Sequence, residues 1–353
     1  MNRKIEPNFE RLRTALFAGQ PDRVPLLELA IDVSIQEAFL GRPIRTPKDV
    51  VDFHIQAGYD AVRLAPKIDM NPAKLTPKGG ERRSEATKLD KERTWYNEGQ
   101  GIITSVEDFE RYVWPKPEDV DYSIFEEIGR ELPDSMMIIG QYGDIFTWIW
   151  EIMGFETFSF AIYENPELID RMFAKVGGIV FNLFENMAAM DRIGALWYSD
   201  DIAFKSGLLV SPDFLRKYLF PWMKKIGDLC RERDIPFIYH SDGKLYDVME
   251  DILACGVNAL QPIEPQAMDI RELKRKYRGR LCLIGNVDLE YTLTRGTPEE
   301  VVEEVKSLLR DVAPGGGYCV GSSNTVPNYV KPENYRAMVE TTLRYGRYPI
   351  EIP

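Results

Sequence analysis

Pro236-Phe237-Ile238-Tyr239-His240-Ser241-Asp242-Gly243 is a near-continuous apolar run that stops in an imidazole, a hydroxyl, a carboxylate and a glycine. A buried parallel strand reads this way because helices cover both faces of its sheet, and in α/β barrels the working groups sit just beyond the carboxyl end of the strand. Seven further runs have the same form: Val24 to Ile31, Ala61 to Pro66, Met137 to Gly143, Ala195 to Asp201, Ala259 to Pro265, Leu281 to Asp288 and Tyr318 to Asn324. Most end in a polar group: Asp201, Glu264, Asn286 with Asp288, or Ser322-Ser323-Asn324. Helical patterns separate them. Eight strand-then-helix units predict a single α/β domain over 1–353, a (β/α)8 TIM barrel.

The 353 residues are 44% apolar and 28% charged, as in a soluble globular protein. No apolar run is long enough to cross a membrane, and the polar, amphipathic opening stretch predicts no signal peptide. A net charge of −12 argues against nucleic acid or an anionic membrane as partner. The four cysteines, 230, 255, 282 and 319, lack a C-x-x-C spacing and read as reduced thiols of a cytoplasmic protein.

Helical spacing over 8–17 predicts an N-terminal helix packed across one end of the barrel. Further helices are expected over 33–40, 48–57, 106–112, 123–131, 166–190, 211–233, 246–254, 269–277, 297–310 and 332–345. His54 falls inside the second of these, where a surface or packing role is expected. From 67 to about 136 the chain makes an excursion far longer than an ordinary βα connection. Its glycines flank β-prone residues, so a hairpin and a lid over the mouth are expected, with Trp95 and Tyr96 covering the site. After the third run, Tyr142, Phe146 and Trp148 are candidates for a flat pocket wall.

Several ordered segments resemble the uroporphyrinogen decarboxylase superfamily, which includes corrinoid-dependent methyltransferases. They are Pro21-Asp22-Arg23-Val24-Pro25, Asp200-Asp201, Ser211-Pro212, His240-Ser241-Asp242-Gly243, Gly285-Asn286-Val287-Asp288, Gly317-Tyr318 and Gly321-Ser322-Ser323. The resemblance implies a barrel with a funnel-shaped mouth. Decarboxylases of this family follow strand one with an arginine-rich segment that grips a polycarboxylate, whereas here Leu26-Leu27-Glu28-Leu29 is acidic. The branch that methylates coenzyme M holds zinc through an H-x-C pair and a later cysteine, and the matching positions are His240, Asp242 and Asn324. Oxygen groups replace both sulfurs, which disfavours thiol chemistry.

What the resemblance then implies is an enzyme of the methoxyaromatic O-demethylase branch. Such a methyltransferase moves a methyl group from an aryl methyl ether to the Co(I) corrinoid, a cobalamin, of a partner protein. Alternatives are a carboxy-lyase related to uroporphyrinogen decarboxylase and a non-catalytic binding barrel. The cobalamin supplies the nucleophile, so the chain must orient the methyl group and help the phenolate leave. His240 is the first candidate acid, with Asp201, Asp242 and Glu28 as catalytic carboxylates. Alternatively Glu28, Asp201, His240, Glu264 and Asp288 hold zinc or another divalent ion as a Lewis acid. Asn286 and Asn324 are candidates to orient ring substituents, and Arg63 is a candidate cation for a benzoate. No corrinoid-binding D-x-H-x-x-G motif is present, in keeping with a separate corrinoid protein. Homodimerisation stays open.

Overall fold

A computed structural model describes residues 6–76 and 100–352. Its strands are β1 (Ala61–Leu64), β2 (Met137–Gly143), β3 (Ile193–Ser199), the short hairpin β4 (Ala203–Phe204) and β5 (Gly207–Leu208), then β6 (Phe237–His240), β7 (Ala259–Gln261), β8 (Cys282–Ile284) and β9 (Tyr318–Cys319). Seven of them form one parallel sheet in the order β1-β2-β3-β6-β7-β8-β9. The first apolar run supplies the eighth stave. Leu27 donates its N–H to the Val320 carbonyl at 3.0 Å, and Val320 donates to the Pro25 carbonyl at 2.9 Å. Further along, Asp32 and Val326 continue the parallel contact. This stave makes isolated bridges where a ladder was expected, and Pro25 has no N–H to give.

Alternation along the strands sorts the residues into two cores. Leu27, Ala61, Ile139, Ala195, Trp197, Ile238, Ala259, Cys282, Ile284 and Cys319 fill the lumen. Residues of the opposite parity, such as Leu196, Tyr239, Leu260 and Tyr318, pack outward beneath the helices. The helix Phe9–Leu16 closes the amino-terminal end of the lumen, adding Phe9, Leu12, Ala15 and Leu16 to the inner cluster. Its polar strand-end residues therefore gather at the other rim.

Most helix bounds follow from local chemistry. Thr46 with Asp49 and Thr297 with Glu300 form capping boxes, each with a proline in the first turn. The single helix expected over 211–233 is two helices, Pro212–Tyr218 and Phe220–Glu232. Pro221 explains the break, since it lacks a donor and its ring clashes with the preceding turn. The 246–254 segment begins as a 3-10 turn, Tyr246–Val248, before Met249–Ala254. In the excursion, residues 100–104 form no strand. Gly101 and Ile102 instead donate backbone N–H groups to the Met153 and Ile152 carbonyls, and Ile102 and Ile103 are buried. A Cβ at Gly101 would lie 2.1 Å from the Ile152 oxygen, so only glycine allows that approach. Trp95 and Tyr96 lie outside the described residues. Among the described residues, no helix is long and apolar enough to cross a membrane.

Candidate active site

His240 ends β6 with interior parity and is 6% exposed. Its Nδ1 contacts the Gln261 Oε1 on β7, the next stave. The other end of that amide settles the proton: Gln261 Nε2 donates to the Asn324 backbone carbonyl at 2.6 Å, and a carbonyl can only accept. Gln261 therefore turns its oxygen toward the ring, and Nδ1 must carry hydrogen. Nε2 is left as the working nitrogen. It faces Asp201 Oδ1 at 3.6 Å and Asp242 Oδ1 at 3.9 Å.

These three side chains are held as a unit. Asp201 Oδ1 accepts the Asp242 backbone N–H at 2.8 Å, and Asn324 Nδ2 donates to Asp242 Oδ2 at 2.7 Å. Asp242 Oδ1 is sealed from solvent with no hydrogen-bond partner among the described residues. Burial pushes the Asp242 carboxyl up to about 7; His240 opposes that rise, while Asp201 and Glu264 add to it. The turn depends on Gly243, whose φ is +86° and whose Cβ would lie 2.6 Å from the Ala203 backbone. That turn lets Gly243 N–H donate to Glu264 Oε2 at 2.7 Å.

An imidazole and two carboxylates within 4.8 Å of one another form a donor set that suits a divalent ion, and the orphaned Asp242 oxygen points the same way. The same set suits a proton: a hydrogen on Nε2 would face both acids, Asp201 at 3.6 Å and Asp242 at 3.9 Å. Of the remaining carboxylates named from sequence, Glu28 and Asp288 stand apart. Glu28 spends both oxygens on Ser322, accepting from its N–H and its hydroxyl at 2.7 Å each. Asp288 accepts from the Glu290 and Tyr291 amides and from Gln266, so it shapes its own loop. Glu264 lines a depression of about 470 Å³ beside the cluster, with Lys205, Arg295, Asn324 and Tyr329.

Of the aromatic residues expected to form a pocket wall, Phe146 is fully buried and packs edge-on against Phe158, 5.5 Å between centroids. This corrects the expectation: the helix Ile145–Met153 turns that ring into the outer core. Tyr142, of outward parity, and Trp148 also pack there, partly buried. Asn286 ties its amide to the Ile263 carbonyl at 2.7 Å, and Asn324 positions Asp242. Arg63 projects into the lumen beside Gln141. His54 is a packing residue. Its Nδ1 contacts the Val50 carbonyl at 2.8 Å, and burial pulls its pKa down to about 4. Sequence reasoning missed Gln261, Gln141 and Ser199, three polar residues of interior parity at the ends of apolar runs. That parity was the available signal.

A family model described as uroporphyrinogen decarboxylase (URO-D) matches residues 99–345. The chain is 29% identical to the methylcobamide:CoM methyltransferase MtbA of Methanosarcina acetivorans over 137 residues, 39% of this chain and 38% of that protein. It is 31% identical to the Methanosarcina mazei protein of the same name over 101 residues, 29% of each. These matches thus span well under half of either methyltransferase. A uroporphyrinogen decarboxylase of Shewanella pealeana is 24% identical over 67% of this chain and 68% of its own length. Among solved structures, a methyltransferase from Methanosarcina mazei superposes with a TM-score of 0.67 at 17% identity, covering 96% of this chain and 99% of that one. Its likeness is one of fold.

Proposed function

Because the chain belongs to the uroporphyrinogen decarboxylase (URO-D) family, we propose that its barrel transfers a methyl group from a methoxylated aromatic to the corrinoid of a partner protein. The observation that carries this reading is the trio Asp201, His240 and Asp242, an acid-base centre of nitrogen and oxygen with no thiol in it. Relatives named for a methylcobamide and CoM support methyl transfer through a corrinoid. The departure lies in the acceptor: zinc that activates a thiol favours sulfur donors, and all four cysteines of this chain are buried elsewhere.

The corrinoid, as acceptor substrate, brings a cobalt(I) nucleophile. The chain's own work is at the oxygen. As the C–O bond breaks, its electron pair goes to the aryl oxygen, and a proton on His240 Nε2 moves to that atom. Gln261 holds the ring by Nδ1 throughout, with Nε2 facing Asp201 and Asp242. In a second reading, Asp201, His240 and Asp242 would hold a divalent ion, which would supply Lewis-acid assistance to the same oxygen.

The test is to mix the protein with methoxylated aromatics and a Co(I) corrinoid protein and follow the spectrum of the methylated corrinoid. Product is expected only when all components are present. His240→Gln should lower the rate about 10²- to 10⁴-fold, the usual range for losing a general acid. Carbon dioxide release without corrinoid would overturn the proposal in favour of a carboxy-lyase. Metal analysis of protein purified without added ions separates the two mechanisms, since a stoichiometric ion selects the Lewis-acid version.

A further inference from the structure

Arg63 lies on β1 with the parity of Ala61, so it enters the lumen. A guanidinium offers five N–H donors. Its one hydrogen bond among the described residues runs from Nη1 to Gln141 Oε1, at 3.1 Å. Among the described residues its Nε, sealed from solvent, has no partner, and no carboxylate acts on the guanidinium. Among the described residues burial alone shifts the group, down to about 10. An uncompensated cation in a barrel interior is costly, and folds that keep one usually give it an anion.

Gln141 does not supply that anion. Its amide is neutral, and its Nε2 donates onward to Ser199 Oγ at 3.1 Å. Ser199 pairs in register with His240. Trp197, paired in register with Gln141 and directed into the same lumen, has a second buried N–H that finds no partner among the described residues. One wall thus carries surplus donors and a positive charge, joined by hydrogen bonds to the strand position beside the proposed acid. From β1 to β6 is three strand spacings, about 14 Å around the wall.

We propose that Arg63 binds a carboxylate of the methyl donor, so that the substrates are methoxylated aromatic acids and not neutral methoxyarenes. This rests on the methyl-transfer reading of the same lumen. A carboxylate brings the missing charge and two acceptor oxygens, whereas a neutral methoxyarene leaves the guanidinium unpaired.

The test measures equilibrium binding of 4-methoxybenzoate and 4-methoxybenzamide to the intact protein by calorimetry, with no corrinoid present. The two ligands match in shape and differ in charge. Wild type should bind the acid about 10²-fold more tightly, in line with a buried charge pair. Arg63→Gln should abolish that preference while leaving amide affinity within about threefold, and Arg63→Lys should restore part of it. Equal binding of acid and amide by wild type would overturn the proposal, and this comparison needs no variant to fold. A preference that survives in Arg63→Gln would overturn it as well. Because binding is read without turnover, an acid that binds but is never demethylated leaves the carboxylate site standing and removes only the methyl-transfer reading.

Discussion

Gln261 offers His240 an acceptor and nothing else, because its amide nitrogen is turned to the Asn324 carbonyl. That fixes one tautomer and aims Nε2 at Asp201 and Asp242. Replacing Gln261 with Leu removes the hold on Nδ1 without adding charge. The rate of the proposed methyl transfer is expected to fall about 10- to 100-fold, as for other residues that orient a functional histidine. Gln261→Glu, which keeps an acceptor at the ring, should retain far more of it. A role in packing alone would make the two variants alike and leave the pH-rate profile unmoved, and that result would remove Gln261 from the site. His240 was legible in the sequence because an imidazole at the end of an apolar run stands out. Gln261 was not, because its importance comes from strand pairing: His240 and Gln261 are 21 positions apart and meet only when β6 lies beside β7.

The helix Ile145–Met153 owes its position to a residue outside it. Asp200 is fully buried and accepts from the Phe146 N–H at 2.7 Å, the Thr147 N–H at 3.0 Å, the Thr147 hydroxyl at 2.9 Å and the Tyr198 hydroxyl. It caps that amino terminus from across the barrel wall, where the helix's own preceding residue, Asp144, makes no side-chain cap. Asp200→Ala would leave two buried amide donors and two hydroxyls unsatisfied, at a cost of about 3 kcal/mol or more. The expected outcome is a midpoint several degrees lower in thermal denaturation, with Asp200→Asn, which still accepts, falling between. An unchanged midpoint for the alanine variant would show that water replaces the cap. The sequence places two acids together at positions 200 and 201, and nothing local says which faces the mouth. Strand parity decides: Ser199 points inward, Asp200 out toward the helix, and Asp201 toward His240. The same dependence on neighbours sent Phe146 into the outer core, while helix ends written by their own caps, such as those at Thr46 and Thr297, were legible directly.

Closing a barrel requires the first and last staves to meet, and here they do so with few ladder bonds. Eight apolar runs made the architecture legible, yet the weakness of the first stave was not, since it depends on which of its amides find carbonyls on the last. Glu28 reinforces that seam by accepting the N–H and hydroxyl of Ser322, 294 positions away in sequence. Among the described residues no cation offsets its burial, which pushes its carboxyl from the usual 4.5 up to about 8, with the Ser322 hydrogen bonds pulling partly back. The folded chain therefore holds a proton there that the unfolded chain releases above about pH 4.5. Stability from this group is fully present below that pH, falls as pH rises, and is lost by about pH 8, where the folded carboxyl also ionises. At about 1.4 kcal/mol per pH unit, the loss is on the order of 5 kcal/mol. Glu28→Gln keeps an acceptor for the Ser322 amide and a donor for its hydroxyl but has no proton to lose. Denaturation of the two proteins from pH 4.5 to 9 should give similar stabilities at the acid end and an advantage to the variant that grows until about pH 8 and then levels. Parallel curves across that range would mean that the seam is held by backbone pairing with Val320 and Val326, with Glu28 ionised at little cost.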